Sequence, residues 1–231
     1  MNKMKKISFN RYGSRRAFTL IELLVVIAII GILAELLLTI TGRMKQKQMI
    51  SRTQAELAQV ATAIDSYKLK TGFYPPDNPG NPVLNQLYFE LSGTTLANGI
   101  YTTLDGSGRI SQNDVRALFG ATNVSGFMNS TTAGGGDDAP VATKFLQNLR
   151  PNQISPWVFG DVGTNNTLLV CSIPWPNNSP GPLGPANNAN PWRYVSSNPT
   201  NNPNSYDLWV DIVIAGKTNR LSNWSSRPQT P

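Results

Sequence analysis

The sequence predicts an α+β fold: one long helix, apolar at first and then amphipathic, packed on a small antiparallel sheet with long loops. Three observations predict it. Residues 18–40 form a near-unbroken apolar run, and residues 50–67 keep an apolar rhythm of three and four inside a polar stretch. The remainder is dense in Pro, Gly, Asn, Ser and Thr, broken by short apolar runs.

The chain starts with a basic leader. Six of its 20 basic residues lie in the first 17 positions, which contain no acid, so a net charge of +7 reduces to 14 bases against 13 acids beyond the leader. The basic character belongs to that short segment, and no direct nucleic-acid partner is expected. Residues 18–40 then carry only Glu22 and Glu35 as charges. At 1.5 Å per residue, roughly 23 helical residues reach about 34 Å, enough for a single span in contact with membrane lipid. The leader outweighs Arg43, Lys45 and Lys47, which places the N-terminus in the cytoplasm and the bulk of the chain across the inner membrane. A carboxylate at Glu22, inside lipid, needs a partner. Glu35 reads as the solvated edge of the span, with a partner at Arg43 or on a neighbouring helix as the other options.

The helix is expected to continue to about residue 70. Ile50, Thr53, Leu57, Val60, Ile64 and Tyr67 fall on one face, with Arg52, Gln54, Glu56, Gln59, Asp65 and Lys68 between them. "TGFYPP" at 71–76 stops it with a glycine and two prolines. Gly31 and Gly42 interrupt it, each weakening the helix by about 1 kcal/mol relative to alanine. They mark either a segment that melts or places where helices approach closely. Beyond residue 76, "VLNQLYFELSG", "DVRALFG" and "VATKFLQNLR" predict short helices, the second capped near Ser111. "TLLVCSI" and "YDLWVDIVIAG" predict strands. The domains are thus a leader at 1–17, an apolar half-helix at 18–40, an amphipathic half-helix at 41–70, and a globular head at 71–231 with an enlarged loop region at about 92–170.

"RRAFTLIELLVVIAIIGIL" resembles the N-terminal processing and methylation signature of type IV pilins and type II secretion pseudopilins. The resemblance implies cleavage by a prepilin peptidase between Ala17 and Phe18, N-methylation of Phe18, and a role for Glu22 in subunit assembly. The family usually has glycine where Ala17 stands. It further implies a homo-oligomeric helical fibre, minor pseudopilins and an inner-membrane assembly platform as partners, and loosening of the helix between Gly31 and Gly42. "YKLKTGFYPPDN", "NPWRYVSSNP" and "YDLWVDIVIAGKTNRLSNW" are similar in order to the helix end, the Pro-Trp-x-Tyr turn and the C-terminal strands of the major pseudopilin. The expected role is that of a structural subunit of a type II secretion pseudopilus that helps export proteins across the outer membrane. A type IV or minor pilin for adhesion, motility or DNA uptake is the alternative. A third is a membrane-anchored periplasmic binding protein that never polymerises.

Major pseudopilins typically bind calcium in the C-terminal loop, so Asp207 and Asp211 are candidate ligands. Lys217 and Arg220 stand where that family tends to be acidic, and calcium wants six to eight oxygens with several negative charges. "TLDGSGRISQNDV" offers a second candidate set in Asp105, Ser107 and Asp114, lacking the first acid of an EF-hand loop. No enzyme is expected. Histidine is absent, which removes His-based acid/base chemistry, and Asp105, Asp114, Asp137, Asp138 and Asp161 are scattered over loops. Cys171 is the only cysteine and is read as a buried thiol.

Overall fold

The computed structural model describes residues 18–119, 126–132, 134, 140–158, 165–185 and 187–231; at 36–41, 43, 157–158 and 165 the backbone alone is described. The leader and Ala17 lie outside the described residues, as do Asp137, Asp138 and Asp161. The chain divides into two units, Met1–Lys45 and Gln46–Pro231.

Helix α1 spans Leu20–Thr71. It ends where Gly72 takes φ +88°, a conformation costly for any residue with a Cβ, and Gly72 N–H closes the last turn on Lys68 O at 2.8 Å. In the second unit α1 buries Thr53, Glu56, Val60, Ala63, Ile64 and Tyr67, which share one face of the helix. The sequence placed Glu56 among the polar residues between the stripe. Instead it is buried, because its carboxylate accepts the Ser172 backbone N–H at 2.9 Å.

After α1 come α2 (Leu87–Ser92), β1 (Thr94–Ala97), β2 (Ile100–Thr103), β3 (Arg109–Ser111), α3 (Gln112–Phe119) and β4 (Ser130–Thr132). Next are β5 (Ile154–Val158), β6 (Asn165–Leu169), β7 (Arg193–Val195), β8 (Asp207–Ile214), β9 (Lys217–Ser222) and β10 (Ser225–Gln229). The α+β class and the long helix stand. Where the sequence suggested one small sheet, the described residues hold a four-stranded sheet ordered β3-β2-β1-β4, a second ordered β10-β9-β8-β7, and the β5-β6 pair. All pairs are antiparallel except β1 with β4. The described residues of the enlarged middle region thus include β1 to β6, within the same unit as β7 to β10.

The expectation of a helix over "VATKFLQNLR" is overturned. The segment is irregular, because its amides bond outward: Ala142 N–H to Thr131 Oγ1 at 2.7 Å, Thr143 N–H to Asn129 Oδ1 at 2.9 Å, and Phe145 N–H to Leu91 O at 2.8 Å. In "VLNQLYFELSG" only Leu87–Ser92 is helical, since the Asn85 amide is spent on Pro82 O and Trp192 O and holds the chain before it in a turn. The helix read from "DVRALFG" begins where expected, with Ser111 Oγ accepting Asp114 N–H at 3.1 Å.

Aromatic side chains dominate the core. Trp192, Tyr67, Tyr88, Tyr194, Phe89 and Phe119 are fully buried, and Phe127 stacks on Phe89 with ring centroids 4.8 Å apart. The Pro-Trp-x-Tyr turn is tied in at several points: Trp192 O accepts from Asn85 at 2.6 Å, and Tyr194 Oη donates to Pro75 O at 2.9 Å. Trp192→Ala is expected to cost about 3–5 kcal/mol, read as a shift of the urea midpoint at unchanged slope.

Candidate functional site

In the first unit the described side chains of α1 up to residue 35 are apolar on every side except at Glu22 and Glu35. Phe18 and Leu20 are each 81% exposed, and no large apolar residue from Phe18 to Leu33 falls below 46%. A helix with no polar face is suited to lipid or to other helices. Among the described residues no helix is long and apolar enough to cross a membrane. The side chains at 36–40, within the expected span, lie outside that description.

The N-terminus of α1 is closed by its own carboxylate. Thr19 donates its backbone N–H and its Oγ1–H to Glu22 Oε2, both at 2.9 Å, while Glu22 N–H donates to Thr19 Oγ1 at 3.3 Å. This reciprocal pairing is a capping box, legible in the sequence as T-L-I-E and missed there. Glu22 therefore already has a partner one residue from Phe18. An added Cβ at Gly31 or Gly42 meets nothing within 4 Å, and the backbone is helical through both. Nothing within the described chain demands glycine at either place. Glu35 is exposed.

In the second unit, carboxylates organise loops by accepting backbone N–H groups. Glu90, fully buried on α2, takes Met128 N–H at 2.8 Å, Asn129 N–H at 2.9 Å and the Tyr67 hydroxyl at 3.0 Å. Burial pushes its carboxyl up from 4.5 to about 7 against the pull of those bonds. Sequence reading missed Glu90, whose signal is a lone acid inside the apolar "LYFEL". Asp207 accepts four donors, the N–H groups of Thr200, Asn201 and Asn202 and the Asn201 amide, each at 2.9 Å. Asp77 likewise holds Ser196 N–H at 2.9 Å and Ser197 N–H at 3.1 Å.

These bonds decide what the calcium candidates are free to do. Asp207 is spent on its loop. Asp211, on the same face of β8, is gripped by Arg220 at 2.8 and 3.0 Å, with Arg193 at 3.9 Å. That guanidinium pair supplies the positive charge a cation would otherwise bring. Asp105 and Ser107 share a turn, where Asp105 also receives Thr103 Oγ1–H at 2.8 Å and Lys144 at 2.9 Å. Burial works against its charge, but the bonds from Ser107, Lys144 and Thr103 prevail and hold its carboxyl well below the usual range. Asp114 turns to Ser111 at the start of α3 and does not join them. Among the described residues no three histidine, cysteine or acidic side chains gather as a metal site. Cys171 is buried as expected, and burial raises its thiol to about 12.

Comparison with known proteins bears on the N-terminal signature. The family described as the prokaryotic N-terminal methylation motif matches residues 13–34. The chain is 38% identical over 66 residues to the type II secretion system core protein G of Escherichia coli K12, covering 29% of this chain and 46% of that protein. Its likeness to the protein of that name from Pectobacterium carotovorum is 35% over 75 residues, 31% and 48% of the two chains. For Klebsiella pneumoniae the figures are 36% over 66 residues, 29% and 47%. The chain thus spans about half the length of the curated relatives it matches. No solved structure matches. The resemblance read from the sequence stands: this is a pseudopilin-like chain.

Glu90 makes the stability of the second unit depend on pH. Its carboxyl lies near 4.5 when unfolded and about 7 when folded, so the protonated form favours folding. That contribution is complete below the unfolded value and is lost as pH rises through the folded one. Relative to Glu90→Gln, the native chain is expected to lose about 3 kcal/mol between about pH 5 and about pH 8, read from paired urea titrations.

Proposed function

For a pseudopilin-like chain carrying a prepilin-type methylation motif, we propose the role of a structural subunit of a type II secretion pseudopilus, without catalysis of its own. The leader is removed before Phe18 at the cytoplasmic face and the new amine is methylated. The apolar half of α1 holds the subunit in the inner membrane with its head in the periplasm. An inner-membrane platform then raises the subunit, with other copies and minor pseudopilins, into a helical fibre that helps move proteins across the outer membrane.

The observation that carries this reading is the placement of Glu22. An apolar helix exposed on every side gains by bundling with its like, and the acid that closes its N-terminus stands beside the position where cleavage creates a positive amine. In a bundle that excludes water, attraction between Glu22 and the Phe18 ammonium of a neighbouring subunit strengthens, while any unpaired carboxylate is penalised. Desolvation offsets much of the gain, so the pair fixes register more than it adds stability. The Thr19 cap keeps Glu22 satisfied until a neighbour arrives.

Two variants separate local capping from pairing. Glu22→Gln keeps an acceptor for Thr19 and removes the charge, whereas Glu22→Ala removes both. Both are expected to insert normally and to be cleaved, and both to fall about tenfold or more in sheared-fibre yield, as a loss of roughly 1.4 kcal/mol or more per contact requires. Full fibre yield from Glu22→Gln would refute charge pairing and leave only the cap. Mass spectrometry of the mature chain is expected to find N-methylated Phe18, and intact Met1 would refute the assembly reading altogether.

A further inference from the structure

On the outer face of the β10-β9-β8-β7 sheet, a cleft of about 330 Å³ opens between the β8-β9 strands and the loop that precedes β8. Its walls combine two kinds of surface. Trp209 and Trp224 are half-buried indoles with ring centroids 5.7 Å apart and planes at 63°, so they present faces round a corner. The loop that lines the same cleft carries Asn198 and Thr200, both exposed and neither with a side-chain hydrogen bond among the described residues. Motifs quoted from the sequence run through these walls, but their spacing did not mark a cleft, because the wall residues come from separate stretches.

The charges around the cleft are already matched. Asp207 is consumed by the amides of residues 200–202, and Arg220 is paired in two bonds with Asp211 while its guanidinium lies 5.9 Å from the Trp209 ring centre. The cleft therefore selects neither anions nor cations. The loop wall is also stiff, since Asp77 pins residues 196–197 and Asp207 pins the next turn. A rigid, neutral site whose lining combines aromatic faces with an unspent amide and hydroxyl matches a ligand that has an apolar face and a hydroxylated edge.

We propose that this cleft binds a pyranose unit of a neutral oligosaccharide. One sugar ring stacks its C–H face on Trp224 against the Trp209 edge, while its hydroxyls exchange hydrogen bonds with the Asn198 amide and the Thr200 hydroxyl. Little loop ordering is left to be done on binding, because the carboxylate pins have already done it. The site lies wholly within the Gln46–Pro231 unit, so the proposal does not depend on fibre formation.

The test is isothermal titration calorimetry of the full chain, held in a zwitterionic detergent free of sugar head groups. The probes are cellohexaose, chitohexaose and decaproline. Saturable heat with one or both glycans is expected, weakened about tenfold in Trp224→Ala and about threefold in Asn198→Ala, with Trp224→Phe restoring most of it. Binding of chitohexaose alone identifies an N-acetylated, wall-type glycan as the source, and binding of cellohexaose a plain glucan. Near-ultraviolet circular dichroism distinguishes a lost contact from a lost fold. No heat from either glycan at millimolar concentration overturns the proposal. So does unchanged affinity in a folded Trp224→Ala, or a preference for decaproline, which would make the cleft a peptide groove.

Discussion

The bond set around the Glu90 carboxylate joins the parts of the head that have least regular structure to those that have most. Tyr67 on α1, Glu90 on α2 and the backbone at 128–129 meet at one pair of oxygens. From there Asn129 carries the connection onward, its amide donating to Thr143 O at 2.7 Å while its carbonyl oxygen accepts Thr143 N–H. A buried backbone N–H without a strand partner is costly, and an acid with two oxygens relieves two such groups at once. Burial of the acid is itself unfavourable, and the raised carboxyl pKa is the trace of that compromise. Glu56 and Asp207 repeat the device on a smaller scale, at Ser172 and at residues 200–202.

This division explains what could be read in advance. The long helix, its glycine stop, the β8 strand and the Ser111 cap were legible because each is written in local spacing: a three-four rhythm, an apolar run, or a hydroxyl three residues before an acid. Residues 141–150 misled because their composition suits a helix, while their actual partners, Leu91, Asn129 and Thr131, lie far along the chain. Glu56 looked like a solvent residue for the same reason. No period reports that an amide at position 172 will need an acceptor. Of the candidate site, the signature around Phe18 and Glu22 was plain, but its capping geometry went unnoticed and the indole-lined cleft had no linear signal.

In the first unit the same chemistry appears at a helix end. Glu22 does for the amide of Thr19 what Glu90 does for those of Met128 and Asn129, on an exposed helix where no core compels it. Closing the first turn there also draws negative charge to the positive end of the helix dipole. A single side chain thus closes a helix end within one chain, and on the proposed reading it is the same side chain that a neighbouring chain's amine would meet.

The covered thiol of Cys171 bears on how such chains tolerate crowding. Its proton is held tightly and its sulfur lies 3.8 Å from the Thr53 hydroxyl, so little of the reactive thiolate is present. Where many copies are stacked side by side, one accessible sulfur per copy would be enough to weld neighbours together under oxidising conditions. Here the sulfur is hidden, and any array of these chains would stay reversible in redox terms, free to be taken apart one molecule at a time.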